Sequence, residues 1–206
     1  MTKLPSTCLI SDRKLLPDGK LLTVIEELMA AGLTLLQLRE KDLSAAQLFP
    51  LALQLRKLTS RYNCKLLIND RIDLALAVEA DGVQLGGHSL PADVARSLLG
   101  PKKLIGVSTH STNEITRAAA AGADFVTFGP VYYTASKAVY GHPVGLSALR
   151  QACNISPIPV FALGGINLQN ASEAMACGAT GVAIISTLLT AESPSSTYST
   201  LQSKLS

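Results

Sequence analysis

The sequence predicts an α/β chain folded as a (β/α)8 TIM barrel, one domain spanning residues 1–206. Three observations predict it. Short apolar, β-rich runs alternate with amphipathic stretches eight times along the chain. Several helix-to-strand junctions read alike, AAGLTLLQ, EADGVQL, AAGADFVTF and ACGATGVAI, each with a glycine suited to a left-handed helix cap. The length of 206 residues holds one such barrel, for which about 200 is the lower limit, and no linker or low-complexity stretch divides it.

The strands are expected at Thr7–Ser11, Leu35–Leu38, Lys65–Ile68, Gly82–Leu85, Leu104–Val107, Phe125–Phe128, Pro159–Leu163 and Gly181–Ile185. Their continuous apolar character suits parallel strands buried on both faces. The first helix pattern, Lys20–Ala31, carries Leu21, Leu22, Ile25, Leu28 and Met29 on one face. Similar patterns cover Ala45–Tyr62, Pro91–Leu98, Asn113–Ala121, Leu146–Ala152, Leu168–Cys177 and Ser195–Leu205, with a shorter one at Arg71–Val78. The competing architecture is an open doubly wound sheet. It would normally use five or six strands, and no G-x-G-x-x-G follows the first strand here.

Composition narrows the function classes. Hydrophobic residues make up 48%, which excludes disorder. Aromatics are only 4%, so Leu, Val, Ile and Ala must build the core. The net charge of +3 comes without a basic stripe, which argues against nucleic acid but suits small anionic ligands. Cys8, Cys64, Cys153 and Cys177 share no metal-ligand spacing and lie in apolar segments, so they read as buried thiols. The N-terminus lacks a signal-peptide h-region, and no apolar run approaches the roughly 20 residues of a membrane helix. A cytoplasmic enzyme with no membrane partner is expected, and homo-oligomerisation is left open.

In a barrel, the chemistry belongs at the C-terminal ends of the strands. After the second strand comes Gln37-Leu38-Arg39-Glu40-Lys41-Asp42, where alternation would point Gln37, Arg39 and Lys41 to one side. Two cations and an amide there suit a phosphate or pyrophosphate; the alternative is a solvated charged loop. Asn69-Asp70-Arg71 follows the third strand, either as a Mg2+-binding carboxylate or as a helix cap. Gly86-Gly87-His88-Ser89 follows the fourth, with Ser89 a candidate cap. Ser108-Thr109-His110-Ser111 follows the fifth; Ser108 can donate to phosphate and His110 can serve as acid or base, or the group can simply cap and pack. The long polar segment after the sixth strand, with Thr134, Ser136 and Lys137, reads as a lid or an ordinary loop. Gly164-Gly165 and Ser186-Thr187 follow strands seven and eight, where barrels frequently bind phosphate.

Seven segments in order, LISDR, QLREKD, LLINDRIDLALAVEADGVQLG, IGVSTHS, AGADFVTFGPVYYTASK, PVFALGGI and GATGVAIIS, resemble the thiamine phosphate synthase superfamily, which includes the thiazole tautomerases. The resemblance implies an enzyme joining a pyrimidine methyl pyrophosphate to a thiazole phosphate with loss of pyrophosphate. It implies that Gln37, Arg39, Lys41, Asn69, Ser108 and Lys137 hold the pyrimidine and its pyrophosphate, and that Asp70 binds Mg2+. It places Thr134, Ser136, Gly165, Ile185 and Ser186 at the thiazole phosphate, and it makes Lys137, Ser108 and His110 the catalytic candidates.

One departure matters. Synthases resemble GQED after the fourth strand, and the final Asp is a second metal ligand; Ser89 stands there in this chain. Tautomerases likewise lack that Asp and use a His at the position of His110. The resemblance therefore implies a synthase, with a tautomerase or a non-catalytic binder of thiazole phosphate as alternatives.

Overall fold

The computed structural model describes residues 4–134 and 142–205. Eight parallel strands close into a barrel in sequence order: β1 (Thr7–Ile10), β2 (Leu35–Leu38), β3 (Lys65–Asn69), β4 (Gly82–Leu85), β5 (Leu104–Thr109), β6 (Phe125–Phe128), β7 (Val160–Leu163) and β8 (Gly181–Ile184). The barrel shuts where β8 pairs with β1 through Thr7↔Val182 and Cys8↔Ala183. The closed order excludes the open sheet.

Alternation along each strand sorts side chains into two cores. Cys8, Ile10, Leu35, Leu67, Phe125, Phe161 and Ala183 fill the barrel. Their neighbours, including Leu9, Leu36, Leu66, Val83, Val126 and Val182, face the helices instead. Leu, Ile, Val and Ala dominate the outer core, with Phe128 and Tyr198 among them. Inside the barrel, however, Phe125 and Phe161 meet edge to face with ring centres 5.5 Å apart.

The helices are α1 (Leu21–Ala30), α2 (Ala45–Arg61), α3 (Ile72–Ala77), α4 (Ala92–Leu99), α5 (Thr112–Ala120), α6 (Gly145–Ile155), α7 (Ala171–Ala176), α8 (Ser186–Leu189) and α9 (Pro194–Leu205). A capping box from Ser44 and Gln47 starts α2, and Ser111 caps α5 by accepting from Glu114 N–H. The one-turn α8 was not among the sequence-predicted helices. It is too short to show a period, and only the turn out of β8 creates it. Gly32, Gly122 and Gly178 take φ of 104°, 86° and 94° just past their helices, as expected. Gly82 departs from that expectation. It is the first residue of β4, where a Cβ would lie 2.0 Å from the Leu104 carbonyl oxygen, and Glu79 (φ 53°) makes the left-handed turn instead.

The N-terminal end of the barrel carries two copies of one device. Asp81 precedes β4 and accepts from Leu66 N–H (2.8 Å) and from Arg56 of α2 (2.6 Å). Asp124 precedes β6 and accepts from Ile105 N–H (2.7 Å) and from Arg96 of α4 (2.6 Å). Each aspartate thus ties a helix to the start of two strands. Cys8, Cys64 and Cys177 are buried unpaired thiols, and Cys153 is half-buried. Among the described residues, no helix is long and apolar enough to cross a membrane.

Candidate active site

The inward-facing parity that buries Leu35, Leu67 and Phe125 places polar residues at the C-terminal ends of the same strands. Gln37 follows Leu35, Asn69 follows Leu67, Gln84 follows Gly82, Ser108 follows Gly106, and Thr127 follows Phe125. Strand register sets Asn69 beside Gln84 and Ser108 beside Thr127. Gln84 Nε2 donates to Ser108 Oγ at 3.1 Å and, at a longer 3.5 Å, to Thr127 Oγ1. Its Oε1 is a buried oxygen with no hydrogen-bond partner among the described residues. That atom lies against Gly106, where any Cβ would come within 2.2 Å of it. Leaving a buried acceptor unsatisfied costs about 1–3 kcal/mol, a cost repaid when a ligand supplies a donor.

The loop after β2 is built differently from the expected alternation. β2 ends at Leu38, so Arg39 and Lys41 lie beyond the strand: Arg39 is half-buried, Lys41 exposed. Gln37 lies inside the barrel at 2% exposure. Glu40 is also buried. It accepts from Ser11 Oγ (2.6 Å), from Arg13 N–H (3.1 Å) and from the Arg13 guanidinium (3.2 Å). The same guanidinium grips Asp42 through two 2.7 Å bonds. That bidentate contact pushes the Arg13 pKa up and holds the Asp42 carboxyl well below the usual carboxylate range. Arg39 and Lys41 make no ion pair among the described residues.

The loop after β3 excludes the capping alternative. The N-cap of α3 is Arg71, and no side chain caps that helix. Asp70 sits in left-handed backbone (φ 65°) with its N–H on the Gln84 carbonyl at 2.8 Å. Its carboxylate is exposed and makes no hydrogen bond or ion pair among the described residues. The Arg71 guanidinium turns to Asp73 at 2.8 Å and reaches Asp70 only through longer-range attraction.

Beyond β4, Ser89 does not cap α4, whose N-cap is Pro91. Its hydroxyl accepts from Gly86 N–H at 2.7 Å and closes its own turn. A cavity of about 390 Å³ opens between this turn and the end of β5, touching Ser89, Leu90, Ser108 and His110. His110 is exposed; Glu114 accepts from its backbone N–H at 2.6 Å. Its Nδ1 contacts the Gly129 carbonyl oxygen. A carbonyl only accepts, so this contact calls for a proton on Nδ1 and turns Nε2 away from the Gly129 carbonyl.

At the other side of the mouth, Val131 N–H and Tyr132 N–H donate to the Leu163 and Gly164 carbonyls (2.8 and 3.0 Å), so the loop after β6 runs over the loop after β7. Gly165 has φ 67°, and a Cβ there would lie 2.7 Å from Tyr132 Cβ, so only glycine fits under that loop. Ile185 leads into Ser186, the first residue of α8. Glycine backbone and the start of a short extra helix are the pieces with which barrels build phosphate sites.

A family model described as thiamine monophosphate synthase matches residues 7–188. The chain belongs to the thiamine monophosphate synthase family. It is 52% identical over 189 residues to a putative thiamine-phosphate synthase of Geobacter sulfurreducens, covering 92% of this chain and 89% of that one. It is 41% identical over 181 residues to the thiamine-phosphate synthase of Clostridium novyi, covering 88% and 89%. Among solved structures, the thiamine phosphate pyrophosphorylase from Pyrococcus furiosus superposes with a TM-score of 0.88 at 34% identity, covering 97% and 95%.

Within this family member, the geometry gathers Gln37, Arg39, Asn69, Asp70 and Ser108 on the β2–β5 side of the mouth. Gly165, Ile185 and Ser186 lie on the β7–β8 side. Thr134 is half-buried after β6. Ser136 and Lys137 lie outside the described residues. Sequence reasoning missed Gln84, Thr127, Arg13 and Glu40. The available signal for Gln84 was a glutamine inside the apolar run Gly82–Leu85. For Arg13 and Glu40 there was none, because their pairing joins residues 27 positions apart.

Proposed function

We propose that this chain is a thiamine-phosphate synthase, condensing 4-amino-2-methyl-5-hydroxymethylpyrimidine pyrophosphate with thiazole phosphate to give thiamine phosphate and pyrophosphate. The observation that carries the reading is the pair of unneutralised cations, Arg39 and Lys41, beside an inward polar layer with one orphaned acceptor, Gln84 Oε1. In the reaction the bond between the pyrimidine methylene and the diphosphate oxygen breaks, that oxygen keeps the electron pair, and the thiazole nitrogen attacks the methylene. Arg39, Lys41 and Lys137 hold the diphosphate oxygens where negative charge grows, which is electrostatic catalysis. Gln37, Asn69 and Ser108 orient the pyrimidine, with Gln84 Oε1 accepting from a ring substituent. Thr134, Ser136, Gly165, Ile185 and Ser186 hold the thiazole phosphate. A cytoplasmic place of action agrees with the unpaired thiols.

The metal fits in one manner. Asp70 is a single exposed carboxylate, Ser89 spends its hydroxyl on Gly86, and no group of three His, Cys, Asp or Glu among the described residues could hold an ion. Mg2+ commonly keeps several waters and takes one or two carboxylates plus substrate phosphates. Asp70 together with a bound diphosphate is such a donor set. When bound, Mg2+ would supply charge neutralisation on the leaving diphosphate.

A second reading, thiazole tautomerase, rests on His110, whose fixed Nε2 could move a ring proton. One experiment separates the two. Pure protein is incubated with Mg2+, the pyrimidine pyrophosphate and the carboxythiazole phosphate tautomers, and products are identified. The synthase reading expects thiamine phosphate, a loss of about 100- to 1,000-fold in Asp70→Ala and a much smaller loss in His110→Ala. Absence of thiamine phosphate, with tautomer conversion lost by about 100- to 10,000-fold in His110→Ala, would sink it.

A further inference from the structure

Read along the chain, Arg39-Glu40-Lys41-Asp42 alternates in sign and should neutralise itself. In the fold it does not. Ser11 and Arg13, arriving from the end of β1, take both carboxylates away from the loop's own cations. Glu40 continues the outward parity of Leu36 and Leu38 and is buried, with a side-chain exposure of 2%. There Ser11 Oγ donates to it at 2.6 Å, and the Arg13 backbone and guanidinium donate from the other side. Ser11 Oγ also accepts from Arg39 N–H at 2.9 Å, which fixes the backbone of the first cation. Asp42 is gripped in bidentate fashion by Arg13, and Lys14 adds a 3.1 Å contact.

We propose that Arg13 is a positioning residue for diphosphate binding: by holding Asp42 and Glu40 it keeps Arg39 and Lys41 free for the substrate's anion. The proposal rests on the reading that Arg39 and Lys41 bind that diphosphate. Three features separate it from a purely structural clamp. The Arg13–Asp42 pair is partly exposed on both sides (34% and 39%), so solvent screens its contribution to stability even though the contact is bidentate. Glu40 keeps the hydrogen bonds from Ser11 Oγ and the Arg13 N–H whatever side chain stands at 13, so it stays anchored in place even when its charge partner is removed. Asp42 has no such second anchor apart from Lys14. Released, it stays within the same short loop as Lys41 and Arg39, where it competes for them and repels an incoming anion.

The test uses the whole chain, with inorganic pyrophosphate as the calorimetric probe and steady-state kinetics for both substrates. Arg13→Met is expected to weaken pyrophosphate binding and raise KM for the pyrimidine pyrophosphate by about 10- to 100-fold, with KM for thiazole phosphate unchanged. Adding Asp42→Asn to Arg13→Met removes the competing carboxylate and should restore pyrophosphate affinity to within about threefold of the parent. A structural clamp predicts the opposite, since the double variant would lose more. Asp42→Asn alone supplies a second measurement if Arg13→Met does not fold: it should bind pyrophosphate as tightly as the parent or tighter. The proposal is overturned if Arg13→Met leaves pyrophosphate binding unchanged, if both substrates' KM values rise together, or if the double variant is not rescued. If the parent itself neither binds pyrophosphate nor forms thiamine phosphate, the diphosphate reading of the loop fails, and the role of Arg13 fails with it.

Discussion

The two ends of the barrel treat their arginines in opposite ways. At the N-terminal ends of the strands, Arg56 and Arg96 each meet an aspartate at 2.6 Å, and each aspartate also accepts from a strand N–H. At the C-terminal ends, Arg13 takes Glu40 and Asp42 and Arg71 takes Asp73, and these pairings leave Arg39 and Lys41 without a carboxylate among the described residues. Gln84 Oε1 and the Asp70 carboxylate are likewise unmatched at that end. Where every polar group is satisfied from within, the structure stores stability. Where groups are left unsatisfied on rigid strand ends, it stores binding capacity, because those groups give up no internal partner when a ligand arrives.

The comparison can be broken most sharply at Arg39. Arg39→Ala is expected to lower kcat/KM by about 100- to 1,000-fold while the melting temperature stays within about 2 °C, since the guanidinium has no hydrogen bond or ion pair to lose among the described residues. Kinetics and a thermal melt on one sample check both halves. A large fall in melting temperature would place Arg39 with the satisfied groups and undo the contrast.

Asp124→Ala should do the reverse. It orphans the buried Ile105 N–H and takes the carboxylate from Arg96, which keeps its bonds to the Gly100, Lys103 and Gly122 carbonyls, at a cost of about 1–3 kcal/mol. For a chain of this size that lowers the melting temperature by about 2–12 °C. The kcat/KM of the folded enzyme should change less than about twofold. Urea titration followed by assay of the native fraction measures both, and a strong kinetic defect at full folding would blur the division between the two ends.

The smallest effect comes from two buried thiols between those ends, Cys8 inside the barrel and Cys64 in the outer core against the helices. Burial pushes the Cys8 thiol up to about 12, and burial likewise pushes Cys64 up to about 12, both from an ordinary value near 9.0. The folded chain therefore holds these protons more tightly than the unfolded chain. Their contribution to stability is complete below about pH 9 and is lost as pH rises towards about 12. Melting temperature should decline over that alkaline window, and Cys8→Ala should flatten part of the slope. A thiol reagent at pH 8 should leave Cys8 unlabelled until denaturant is added; rapid labelling of native protein would contradict its burial.

Much of this molecule was written in local pattern. Strand positions such as Leu35–Leu38, Gly82–Leu85 and Phe125–Phe128 coincide with their apolar runs, because a parallel strand covered on both faces leaves that mark on its own residues. The candidate residues Gln37, Asn69, Ser108 and Gly165 were legible for the same reason: strand ends are where barrels place chemistry, and strand ends follow from strands. Two local readings were displaced: Gly82 serves close approach to Leu104 of the neighbouring strand rather than a turn, and Ser89 closes its own loop rather than capping α4.

The sequence by itself determined the barrel and the loops that follow its strands, since periodicity and turn chemistry act over a few residues. Only the tertiary structure decided which charges remain available. Arg13 meets Glu40 across 27 positions and Asp42 across 29, and Gln84 meets Ser108 across 24. Each of these pairs is brought together by closure of neighbouring strands. A run of alternating charge carries no record of which member will be taken by another strand. The free cations of Arg39 and Lys41 are therefore a property of the fold, produced when β1 lies beside β2 and delivers Arg13 to the two carboxylates.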